Sequence, residues 1–183
     1  MANPDHLARL LAGVPYWNAW RAAGDLDEVD LRGAELGGAD LQGADLWYAK
    51  LQGADLAGAR LEGAVLNRAD LSLALLRHGN LYRASLRGAI LDRTSLTGAV
   101  LVEADLTLAK LTDVALDGAV FTGAVLWGTN FYGSPVENAH GIEPGTGWVR
   151  DEGGVPRREQ PAGVGLDRRG IMVEALRRSG GAS

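Results

Sequence analysis

The chain has 183 residues, no Cys, and 18 Lys and Arg against 23 Asp and Glu, a formal net charge of −5. That length suits one domain, and the lack of Cys excludes a disulfide framework, thiol chemistry and thiolate metal sites. The N-terminus has no basic and apolar leader, and no apolar run approaches the roughly 18 residues of a membrane span, so a soluble cytoplasmic protein is expected.

Residues 1–24 are expected to form a helical cap. Leu7, Leu10, Leu11 and Val14 follow helical spacing, and Pro15 interrupts them and opens a second short helix. That helix carries Trp17 and Trp20, read as a hydrophobic lid on whatever follows.

From Leu26 to Phe131 a large apolar residue recurs every fifth position without a slip, at 22 positions of which 20 are Leu and two are Phe. A small residue, usually Ala, lies two before each, and Gly lies two after in twelve repeats. An α-helix turns about 100° per residue, so a period of five makes no stripe on it. In a straight strand side chains alternate faces. Ala34 and Leu36 then share a face, but Ala39 falls on the other. Both sets point inward only if the chain turns a corner in each repeat, just after the Leu, where Gly is common. Four corners close a square of about 20 residues, and squares stack about 4.8 Å apart. Ten repeats lack the corner Gly, for example Tyr48, Arg68, Leu73, His78 and Leu108, and some corners are expected to use a turn without positive φ.

The pattern A-(D/N)-L-x-x resembles the pentapeptide-repeat family, over residues 25–133 without a gap. The resemblance implies an all-β solenoid, a right-handed quadrilateral β-helix. Twenty-two repeats give about 5.5 coils and a rod of about 26 Å. After Phe131 the register is expected to end. Residues 134–183 read as a Gly- and Pro-rich tail with a helix over about 167–178, where Ile171, Met172, Ala175 and Leu176 form an apolar face.

No constellation for catalysis, a cofactor or a metal is present. His6, His78 and His140 are far apart in sequence, and the many Gly are corner residues rather than a phosphate loop. No enzyme activity is expected. Function then belongs on the outward walls, where residues 20 apart stack into columns. Asp25 stacks on Asp45, and Glu35 on Asp55. Segment 25–62 holds nine acids against three bases, whereas segment 63–133 holds six of each. An acidic patch of this kind suits a basic partner. Trp47 and Tyr48 follow a core Leu and are expected to face outward as a partner anchor beside those acids. Val100, Val102, Val120, Val125 and Trp127 crowd adjacent walls near the end. A patch this apolar is expected to be covered by the tail or by a second copy, giving a homodimer through the C-terminal coils.

Two functions follow. The first is a non-catalytic protein-interaction or scaffold module. The second comes from the resemblance, since the family includes DNA-mimicking proteins that bind DNA gyrase and confer resistance to its inhibitors. A duplex of about 26 Å carries about 15 charges. This rod carries a net charge of −6, concentrated at one end. No direct nucleic-acid binding is expected.

Overall fold

The computed structural model describes residues 1–24 and 28–142, together with the backbone of four short strands beyond them. Helix α1 spans Pro4–Leu11 and α2 spans Val14–Ala22. Asn3 caps α1, its side-chain oxygen accepting from the amides of Asp5 and His6 at 2.9 and 3.4 Å. Pro occupies the first turn of both helices, where its missing N–H costs nothing. Leu10 and Trp17 are buried, whereas Leu11, expected on the apolar face, is 59% exposed.

The five-residue register builds a β-helix solenoid. Isolated parallel bridges join residues 20 apart, from Asp30 with Lys50 to Val120 with His140. No rung is long enough to form a strand. Each repeat contributes to the ladder in both directions. Leu31 N–H donates to the Lys50 carbonyl at 2.8 Å, and Lys50 N–H donates back to the Val29 carbonyl at 2.8 Å. Every fifth residue from Leu31 to Phe131 is at most 3% exposed, which makes one continuous core. The inward residues define four walls, called I to IV after Leu31, Leu36, Leu41 and Leu46. Walls II and IV are two corners apart and so lie on opposite sides of the rod.

The corners differ from the sequence expectation. Each, except the one before Val114, is a four-residue turn in which the residue after the corner donates to the preceding large residue's carbonyl, as Ala34 does to Leu31 at 3.1 Å. The third residue has positive φ, the sign a type II turn requires. Gly33 supplies it at +63°, but so do nine residues with side chains, among them Tyr48 at +56°, Leu73 at +62° and His78 at +55°. Corners without Gly therefore do not change turn type. The stacked ladder above and below holds each one in the left-handed region against its own preference, at a cost of about 1 kcal/mol each.

The register also continues past Phe131. Ser134 takes the small inward position and Val136 the large one, both buried, and a single 3₁₀ turn at Val136–Asn138 leads to the bridge at His140. The Gly- and Pro-rich composition of residues 134–183 masks this further repeat in the sequence. Beyond, strand β1 (Trp148–Arg150) pairs antiparallel with β2 (Pro156–Arg158), and β3 (Val164–Leu166) with β4 (Met172–Glu174). Residues 172–174 are thus strand rather than the expected helix, and the rest of 167–178 lies outside the described residues. No helix among the described residues is long and apolar enough to cross a membrane.

Candidate functional site

The first coil has no coil before it, so its upper backbone groups need other partners. Helix α2 supplies them with side chains. Asp45 N–H donates to Asn18 Oδ1 at 2.9 Å, and the Asp45 carbonyl accepts from Trp17 Nε1 at 2.8 Å. Asn18 Nδ2 donates to the Gly43 carbonyl at 2.9 Å, and Arg21 Nη2 donates to the Trp47 carbonyl at 2.9 Å. On wall I, Asp30 N–H donates to His6 Nδ1 at 3.1 Å, and Asn3 N–H donates to the Asp30 carbonyl at 2.9 Å. The ring of His6 lies 5.3 Å from that of Trp20, which lies 5.0 Å from Trp17. The cap therefore closes the core and finishes the ladder together.

This cap fixes the backbone under Trp47 and Tyr48. Both side chains face outward on wall IV, 41% and 44% exposed. Their rings meet edge to face at 4.2 Å and 87°. Trp47 N–H donates to Asp45 Oδ1 at 3.1 Å, which fixes the turn into the pair. One coil further along the same column, Arg68 places its guanidinium carbon 5.4 Å from the Tyr48 ring centre and donates to the Tyr48 hydroxyl. The result is a three-residue ledge of Trp47, Tyr48 and Arg68. In the sequence Arg68 stands out only as a corner without Gly, although it lies 20 residues from Tyr48 and the column rule places it beside the pair.

The acidic residues expected beside the pair are not gathered there. Asp45 is on wall IV, but its carboxylate is 3.8 Å from Arg21 Nε. Glu35 and Asp55 do stack, and they stack on wall II, on the far side of the rod. Asp25 lies outside the described residues. Wall I alternates in charge, Asp30, Lys50 and Asp70 being bridged in one column. The ion pairs are different, however. Lys50 pairs with Glu28, and Asp30 with Arg32 at 2.6 Å. The Arg32 guanidinium, donating to the Asp30 carboxylate, holds that group down at about 2. Wall III is paired through Asp40–Arg60 at 3.1 Å and Arg83–Glu103 at 2.6 Å, and wall IV through Arg87–Asp105 at 2.7 Å. Burial raises the affinity of Asp105 for its proton, yet bonds from Thr107 and Arg87 outweigh it and hold the carboxyl below its ordinary value. Wall II has no ion pair among the described residues, although Glu35, Asp55, Asp117 and Glu137 lie on it with Arg77.

The later apolar residues form no single open patch. Val100, Val102 and Val120 are half-buried on wall III, as is Trp127 on wall IV, and Val125 is 49% exposed. His6 serves the cap, His78 is an exposed corner and His140 sits in the last rung, so the three remain apart.

The family model described as pentapeptide repeats matches overlapping windows that run from residue 25 to residue 134. No curated protein sequence matches. Among solved structures, the chain is similar to a pentapeptide repeat protein (Rfr23) from the cyanobacterium Cyanothece 51142, at 35% identity over 50% of this chain and 63% of that one, with a TM-score of 0.48. It is similar to a pentapeptide repeat protein from Nostoc PCC 7120 at 30% identity, over 69% and 93% of the two chains, with a TM-score of 0.30. QnrB1, a plasmid-mediated fluoroquinolone resistance protein, aligns at 17% identity over 52% and 57%, with a TM-score of 0.32. The chain thus spans less than two thirds of the length of Rfr23 and of QnrB1. The unbroken five-residue tract, rather than these partial likenesses, carries the assignment: the chain belongs to the pentapeptide-repeat family.

Proposed function

We propose that this protein is a non-catalytic protein-interaction module, a right-handed quadrilateral β-helix of about 5.5 coils whose wall IV docks a partner protein. One observation supports this most. Two large aromatic side chains are held outward, edge to face, on a backbone that the cap and the ladder make rigid. Aromatic residues and Arg dominate interface energetics, and a preorganised anchor loses little entropy on binding. The partner meets Trp47, Tyr48 and Arg68 on one wall. The stacked acids Glu35 and Asp55 on the opposite wall serve a separate, basic contact. Affinity capture from cell extract with wild type and with Trp47→Ala/Tyr48→Ala tests the reading. Loss of a specific protein from the variant supports it, and identical recovery removes this site.

The alternative, a DNA-mimicking gyrase binder, needs a broadly anionic surface. Pairing on walls III and IV confines the carboxylates without an ion pair, among the described wall residues, to walls I and II, which favours the first reading. A supercoiling assay with purified protein and gyrase separates them. Inhibition or protection at micromolar protein would make the alternative the better account.

A further inference from the structure

Walls II and IV are complementary as well as opposite. Wall II carries Glu35, Asp55, Asp117 and Glu137 against Arg77, with no ion pair among the described residues, and the exposed Leu75 at its middle. Wall IV carries Arg68, a cation with no carboxylate partner among the described residues, and the exposed Leu108. Pure translation of one rod sideways brings wall IV of one copy against wall II of the next. The chain runs in opposite directions on opposite walls, so the column through Tyr48, Arg68 and Leu108 and the column through Glu35, Asp55 and Leu75 both lie toward wall I. They meet across the contact. Arg68 and Glu35 are 33 residues apart, and so are Leu108 and Leu75. One axial offset, about 8 Å at 4.8 Å per coil, therefore aligns both pairs at once. The same offset sets Gly88, which has no side chain, opposite Asp55.

From this match we infer that the occupant of wall II is wall IV of a second copy of this chain. The contact is heterologous, since wall II against itself sets carboxylates against carboxylates, and a heterologous contact related by translation does not close. The product is an open, staggered row of rods. Each wall offers roughly 300 Å², from five coils of about 4.8 Å and four extended residues of about 3.3 Å. That is half of what a stable interface buries per partner or less, so the row is weak, salt-sensitive and reversible. It uses the wall proposed for partner docking but does not rest on that reading, because Glu35 lies on the other wall. Assembly engages Arg68 of that ledge and so competes with docking, although Trp47 and Tyr48 lie one coil beyond Glu35, the first rung of the facing wall.

The test is sedimentation velocity on the full chain at about 1 mM protein, at low and at high salt. Wild type is expected to grow without a fixed endpoint at low salt and to be monomeric at high salt. Arg68→Glu alone and Glu35→Arg alone are each expected to raise the protein concentration needed for growth about fivefold, the upper range for an exposed pair. The double variant, and an equimolar mixture of the two single variants, are expected to recover it. Both positions are exposed, and circular dichroism checks that the fold is kept. The inference is overturned if wild type is monomeric at low salt. It is also overturned by a closed dimer that is insensitive to Arg68→Glu and lost in Val125→Asp, which would place the contact at the C-terminal coils.

Discussion

Val114 N–H donates to the Ser134 hydroxyl at 2.8 Å, and that hydroxyl donates to the Leu111 carbonyl at 2.5 Å. In most repeats the corresponding amide reaches the Leu carbonyl directly, as Ala109 does to Leu106 at 2.9 Å. Val114 is one of two Val, with Val29, at a position that the other repeats fill with Ala, Gly, Thr or Ser. The branched side chain opens the turn by the width of a hydroxyl, and the next coil supplies that hydroxyl. Thr94 and Thr129 occupy the same position and bond the Leu71 and Leu106 carbonyls at 2.8 and 2.9 Å, without replacing the turn bond.

Ser134→Ala should therefore leave two buried backbone groups unpaired and cost about 1–3 kcal/mol. Val114→Ala in the same chain lets the turn close, so the double variant should recover much of that loss. Denaturant melts of the four proteins in a cycle measure the coupling. Additive losses would show that the hydroxyl does not bridge this turn.

Leu73 holds φ at +62° with its side chain 59% exposed, so it makes little packing that would offset the strain. Leu73→Gly should leave stability unchanged or raise it by up to about 1 kcal/mol, the left-handed penalty less the extra freedom of Gly in the unfolded chain. Gly43→Ala, at φ +65° with open space around it, should cost about 1 kcal/mol. Urea midpoints that move in the opposite directions would contradict a positive-φ corner at these repeats.

The cap replaces a missing coil through a few side chains, and its loss should be local. Asn18→Ala removes the acceptor for Asp45 N–H and the donor to Gly43, and should cost about 1–2 kcal/mol. Hydrogen exchange should quicken at the first-coil amides and stay unchanged in the middle of the rod. Equal acceleration throughout would mean that the cap is not a separate unit.

Asp30 is the clearest acid-sensitive group. Its carboxyl falls to about 2 in the fold because Arg32 donates to it. A depressed carboxyl stabilises the fold above its unfolded value near 3.8 and loses that contribution as pH falls toward 2. Arg32→Ala should flatten the stability profile between pH 4 and pH 2 and leave it parallel to wild type above. Because the pair is exposed, added salt should shrink the difference.

Much of this architecture is legible in the residues. Leu31 to Phe131 dictate a square coil because a period of five fits neither a helix nor a straight strand. The propensity of a single turn disfavours positive φ at Leu73 and His78, yet both corners hold it. In a stack, the bonds above and below decide the backbone. The Gly- and Pro-rich composition after Phe131 hides the last repeat in the same way, since Pro135 fits the rung that puts Val136 inside. The site was half visible. Trp47 and Tyr48 follow from their place after Leu46. Their neighbours are set by the 20-residue column and the wall, so Arg68 belongs with them and Glu35 and Asp55 do not. Charge counted along the sequence cannot assign a wall.

The central claim is that wall IV, and not wall II, receives the partner. Hydroxyl-radical footprinting of the protein alone and in the captured complex reads exposed side chains directly. Trp47 and Tyr48 should be protected in the complex, while Leu73 and Leu75 near wall II and Tyr132 on wall I keep their free reactivity. Protection of Leu75 with Trp47 and Tyr48 unchanged would contradict the account.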